Sequence, residues 1–117
     1  MILAACSSAG GRPVMLTEEN SGQSIDINTG QQLVISLEGN PTTGYTWEVG
    51  SMDEAVLKQI GEPEFKSSSG ALGAGGVMIL QFQAISEGDT ALRLVYHRPW
   101  EQGIAPEKTF EVNVVVK

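Results

Sequence analysis

His97 is the only histidine of the 117-residue chain and Cys6 its only cysteine, so few side chains are equipped for covalent chemistry. A serine triad would have to be built around His97, and no Gly-x-Ser-x-Gly elbow occurs to present its nucleophile. Cys6 stands among small residues, with nothing nearby to favour the thiolate. Metal ligands at Cys/His spacing are missing. Asp53 and Glu54 come closest to a carboxylate pair, but adjacent residues on a strand or loop point apart. The inventory argues against an enzyme and calls for no cofactor or metal. Fourteen acidic against seven basic residues give a net charge of −7. With no Lys/Arg cluster, neither nucleic-acid binding nor adsorption to an anionic membrane is expected.

What remains is recognition, and three segments have the composition for it. In Asn40-Pro41-Thr42-Thr43-Gly44-Tyr45, Pro41 fixes its own φ and holds Asn40 extended. Thr42 and Thr43 are β-branched and stiff, and Gly44 allows a positive φ where the chain turns back. Such a loop holds one shape and offers backbone groups and two hydroxyls; taken alone, it also fits an ordinary inter-strand turn. Residues 67–76 are small and Gly-rich, and include Leu72, Gly73, Ala74, Gly75 and Gly76. Their backbone can approach a partner closely, with Leu72 as a lone apolar residue for a pocket, or they form a plain linker. Arg98-Pro99-Trp100 places a tryptophan in a loop, where it either folds over the end of the core or anchors a partner.

The elements that would carry these loops are strands. Apolar residues alternate at period two in Ile25/Ile27, Leu33/Ile35/Leu37, Tyr45/Trp47/Val49, Met78/Leu80/Phe82/Ala84, Leu92/Leu94/Tyr96 and Phe110/Val112/Val114/Val116. One-sided alternation of this kind predicts antiparallel, half-buried strands. Turn signals separate the runs at Asn28-Thr29-Gly30, Gly39-Asn40-Pro41, Ser86-Glu87-Gly88-Asp89 and Gln102-Gly103. Residues 52–60 read as a short helical turn or a strand. The fold class is all-β: an immunoglobulin-like antiparallel β-sandwich of about seven strands in one domain, without the Cys…Trp…Cys staple of antibodies.

Together the three segments resemble, in order, the signature motifs of the chagasin family of cysteine protease inhibitors: Asn40-Pro41-Thr42-Thr43-Gly44-Tyr45, then Gly73-Ala74-Gly75-Gly76, then Arg98-Pro99-Trp100. The resemblance covers residues 13–117. It implies a sandwich whose loops at one end wedge reversibly into the cleft of a papain-like cysteine protease. Thr42, Thr43 and Gly44 would lie nearest the protease's catalytic Cys and His. The Gly-rich loop would line one side of the cleft, and Arg98, Pro99 and Trp100 the other. A monomer is expected, since the wedge must stay free. The competing reading is an envelope-anchored adhesive or structural sandwich; a pull-down separates the two, because only the inhibitor enriches cysteine proteases.

Residues 1–12 are expected to lie outside the domain. Leu3-Ala4-Ala5-Cys6 resembles the lipobox of bacterial lipoproteins, in which the cysteine becomes the lipid-bearing first residue. The basic and most of the apolar region of such a signal are missing, as in a chain trimmed to a new Met1; the alternative is a plain terminus with a free thiol. Residues 7–12 read as a flexible tether. The expected location is the periplasm or outer envelope, with membrane contact only through a lipid on Cys6.

Overall fold

Side chains at every second position of a strand share one face, and here that face becomes the interior of a two-layer sandwich. The computed structural model of the chain describes residues 12–40, 43–67, 75–101 and 103–117. Nine strands lie among them: β1 (Val14–Leu16), β2 (Ser24–Ile27), β3 (Gln32–Gly39), β4 (Thr46–Ser51), β5 (Leu57–Gln59), β6 (Glu64–Ser67), β7 (Gly76–Ala84), β8 (Gly88–His97) and β9 (Lys108–Val116), with a 3-10 turn at Glu18–Asn20. One sheet has the order β1-β3-β7-β5, with β6 also paired to β7; the other has the order β2-β9-β8-β4. Leu33, Ile35 and Leu37 of β3 lie beside Leu80 and Phe82 of β7 on the inner face of the first sheet, and they share one core with Leu92 and Leu94 of β8 and Phe110 and Val114 of β9 from the second.

Two pairings depart from the antiparallel expectation. β1 runs parallel to β3 and β2 parallel to β9. Both are edge strands, and an edge strand of a sandwich buries one face whichever way it runs, so its alternation does not encode direction. The count exceeds seven because β1 and β5 are only three residues long and β6 four. Residues 52–60 combine both alternatives: a turn closed by hydrogen bonds from the Val56 and Leu57 N–H groups to the Asp53 carbonyl leads straight into β5.

Register brings the strand ends that flank the three recognition segments to one end of the sandwich. Gly76 at the start of β7 pairs with Gly39 at the end of β3 and with Ser67 at the end of β6. Thr46 at the start of β4 pairs with His97 at the end of β8, and Tyr96 with Lys108 at the start of β9. The connections over 40–45, 68–75 and 98–107 therefore leave from the same pole. Beneath them the sheets are tied: the buried Trp47 of β4 donates its indole N–H to the Glu38 carbonyl of β3 at 2.9 Å.

Candidate functional site

Of the central loop, Asn40, Thr43, Gly44 and Tyr45 are described; Pro41 and Thr42 lie outside the described residues. The Asn40 carbonyl accepts two hydrogen bonds from Thr43, one from its N–H at 3.2 Å and one from its hydroxyl at 2.7 Å. Gly44 adopts φ +89°, the left-handed conformation anticipated for it. Tyr45 then stacks on Tyr96, with ring centroids 5.1 Å apart.

The segment Arg98-Pro99-Trp100 folds against this loop. Its own turn is closed by the Glu101 N–H donating to the Arg98 carbonyl at 3.0 Å. The Arg98 guanidinium faces inward, with Nε donating to the Thr43 carbonyl at 3.0 Å and Cζ standing 4.5 Å over the Tyr45 ring. Its Nη1 lies 3.6 Å from the Glu101 carboxylate. That pair is partly exposed and contributes at most about 1 kcal/mol. Trp100 lies against Gly44 so closely that a Cβ on residue 44 would come 2.4 Å from Trp100 Cη2. Even so, Trp100 keeps 68% of its surface exposed. The indole therefore uses one side to seat itself and leaves the rest of its surface exposed.

On the Gly-rich side, Leu72, Gly73 and Ala74 lie outside the described residues, while Gly75 and Gly76 meet the end of β3. A Cβ on Gly75 would make an ordinary 3.7 Å contact with the Gly39 carbonyl, so this glycine is not demanded by sterics. A shallow groove of about 450 Å³ lies on this side, bordered by Gly39, Asn40, Gly75, Gly76, Tyr96 and Lys108 among others; no residue of Arg98-Pro99-Trp100 lines it.

Sequence reasoning brought the central loop and Arg98, Pro99 and Trp100 together only as members of one motif set. It missed that Arg98 bonds within the molecule, that Trp100 needs Gly44 beneath it, and that the Tyr96 hydroxyl accepts the Asn40 N–H at 3.0 Å. The only sequence signal for the first two was the co-occurrence of a cation, two aromatics and a glycine on loops that register places together.

The candidates for covalent chemistry stay apart from this pole's exposed surface or are engaged elsewhere. His97 Nε2 is 2.7 Å from the Glu48 carboxylate. Asp53 and Glu54 are both exposed, and the Asp53 carboxylate accepts from the Ala55 N–H at 2.9 Å, so they share no dry cleft. No group of His, Cys, Asp and Glu able to hold a metal ion occurs among the described residues. Cys6 lies outside them. The arrangement offers shape, hydrogen-bonding groups and an exposed aromatic surface.

Comparison with known proteins agrees with that character. The family model described as Chagasin family peptidase inhibitor I42 matches residues 26–114. The chain is 35% identical to amoebiasin-1 of Entamoeba histolytica over 102 residues, which is 87% of this chain and 98% of that one. It is 32% identical to chagasin of Trypanosoma cruzi over 89 residues, covering 73% and 81% of the two chains. Among solved structures, the crystal structure of a cysteine protease inhibitor from Entamoeba histolytica superposes with a TM-score of 0.79 at 27% identity, over 91% of this chain and 96% of that one.

Proposed function

The chain belongs to the chagasin family of peptidase inhibitors, and on that premise we propose that it inhibits papain-like cysteine proteases reversibly, by seating the loops at 40–45, 68–76 and 98–100 in the active-site cleft. The family is one of inhibitors and not of enzymes. The observation that carries the three-loop reading is the joint between two of the loops: Trp100, 68% exposed, rests on Gly44 while Arg98 holds the Thr43 carbonyl. A wedge assembled before it meets its target avoids much of the ordering cost that weakens flexible ligands.

In this reading the loop enters the cleft with Thr42, Thr43 and Gly44 nearest the catalytic Cys and His, and Pro41 stiffens it. Asn40 and Tyr45 fix the ends of that loop. Leu72, Gly73, Ala74, Gly75 and Gly76 line one wall, and Arg98, Pro99 and Trp100 the other. An interface of standard size, about 800 Å² per partner, is enough for tight binding.

A protease panel tests the class of target. Papain and cathepsins should lose activity competitively with substrate, while serine proteases should be unaffected; equal inhibition of both classes, or of neither, would exclude the proposal. Thr43→Ala removes the 2.7 Å hydroxyl bond to Asn40. A neutral hydrogen bond is worth about 0.5–1.5 kcal/mol, so inhibition should weaken up to about tenfold, as measured by the inhibition constant.

We also propose that the chain acts as a monomer held in a bacterial envelope, in the periplasm or at the outer envelope, by a lipid on Cys6. Leu3-Ala4-Ala5-Cys6 supports this through its lipobox pattern. The named relatives come from eukaryotes. When a bacterial host expresses the chain behind a complete lipoprotein signal placed ahead of Leu3, labelled palmitate should mark the wild type and not Cys6→Ala; equal labelling, or none in the wild type, would contradict the anchor.

A further inference from the structure

We propose that Tyr96 is a positioning residue for the central loop, its hydroxyl holding the loop's first residue in the inhibitory arrangement; this rests on the inhibitor reading above. By alternation alone Tyr96 is one more core residue of β8, and its ring is indeed buried at 6% exposure. The ring packs between Tyr45 and Trp47, each at 5.1 Å between centroids, with the Lys108 ammonium 5.3 Å from its own centroid. None of these contacts needs a hydroxyl.

The hydroxyl oxygen accepts the Asn40 N–H at 3.0 Å. Tyr96 belongs to the sheet of β4, β8 and β9, whereas Asn40 follows the last residue of β3 in the other sheet. The bond therefore crosses the sandwich where the chain leaves the ladder, whose last pair is Gly39 with Gly76. The backbone at Gly39 runs close beside the ring: a Cβ there would make an ordinary 3.5 Å contact with Tyr96 Cε1 and a tight 3.3 Å one with the flexible Met78 side chain.

From Asn40 a relay runs outward. Tyr96 holds the Asn40 N–H, the Asn40 carbonyl holds Thr43 through two bonds, and the Thr43 carbonyl takes Arg98 Nε. The first link ties the relay to the core through a buried, rigid ring. Losing that link loosens the loop's first residue, and the loop spends part of its time away from the binding arrangement. Apparent affinity then falls in proportion to the competent fraction. The loss appears in the association rate, because the complex, once formed, makes the same contacts with the protease.

The test compares full-length wild type, Tyr96→Phe and Thr90→Val. Tyr96→Phe keeps the ring and deletes the hydroxyl. Thr90→Val deletes the same kind of bond, in which the buried Thr90 hydroxyl accepts the Asp53 N–H at 2.8 Å. It does so six residues away along β8, about 20 Å at the rise of a strand. Tyr96→Phe should raise the inhibition constant for papain about tenfold through slower association, with dissociation unchanged, and should speed hydrogen exchange at the Asn40 and Thr43 amides. Thr90→Val should lower the melting temperature without changing inhibition. Tyr96→Phe inhibiting at the wild-type rate, or both variants losing inhibition alike, would overturn the proposal. A wild type that fails to inhibit would instead remove the proposed function; unchanged exchange at Asn40 and Thr43 in Tyr96→Phe would then overturn the positioning role by itself.

Discussion

Gly44→Ala should weaken inhibition of papain about hundredfold. Two effects combine. At φ +89° a residue with a Cβ sits in the left-handed region, which costs an L-residue about 1–2 kcal/mol. The loop relieves that strain by leaving the conformation, and each 1.4 kcal/mol lowers the competent fraction about tenfold. The new methyl also meets Trp100 Cη2 at 2.4 Å, a distance at which one of the two must move. Both groups lie on the surface of the loop pole, so the cost falls on loop geometry and the core should survive. The melting temperature checks this, and the inhibition constant reads the effect.

Trp100→Ala should weaken inhibition by about thirtyfold or more. Tryptophans at the centre of interfaces commonly contribute ~2 kcal/mol or more when truncated. At 68% exposure Trp100 has little surface to lose on unfolding, and substitutions at such positions change stability by no more than about 0.5 kcal/mol. A large drop in affinity beside an unchanged melting curve is the signature of a partner contact. If the melting temperature falls instead and affinity holds, Trp100 is a lid on the core. The two substitutions should also be coupled. Without the indole, the methyl of Gly44→Ala has nothing to displace, so the double variant should lose less than the sum of the two single losses.

The core was legible in the sequence because its strands are long and half-buried. Leu33, Ile35 and Leu37 alternate with less buried neighbours, and all three end with no exposed surface. Gly44 was legible as well, since its left-handed turn follows from local chain geometry. The directions of β1 and β2 were hidden, because three or four residues on a sheet edge bury one face in either direction. Tyr96 was hidden for another reason. Its ring obeys the core pattern, while its hydroxyl acts on a residue 56 positions away. Arg98 likewise reaches Thr43 across 55 positions, and a motif places both residues at one pole without saying which faces the other. Residues 41–42 and 73–74 of the motifs, with Leu72 beside them, lie outside the described residues.

Titration of active papain with the full-length chain tests the central claim most directly. A tight, cleft-occupying inhibitor predicts that residual activity falls linearly and reaches zero at one chain per active site, with the chain recovered uncut. Full papain activity at micromolar concentrations of the chain, or its steady cleavage as a substrate, would contradict it.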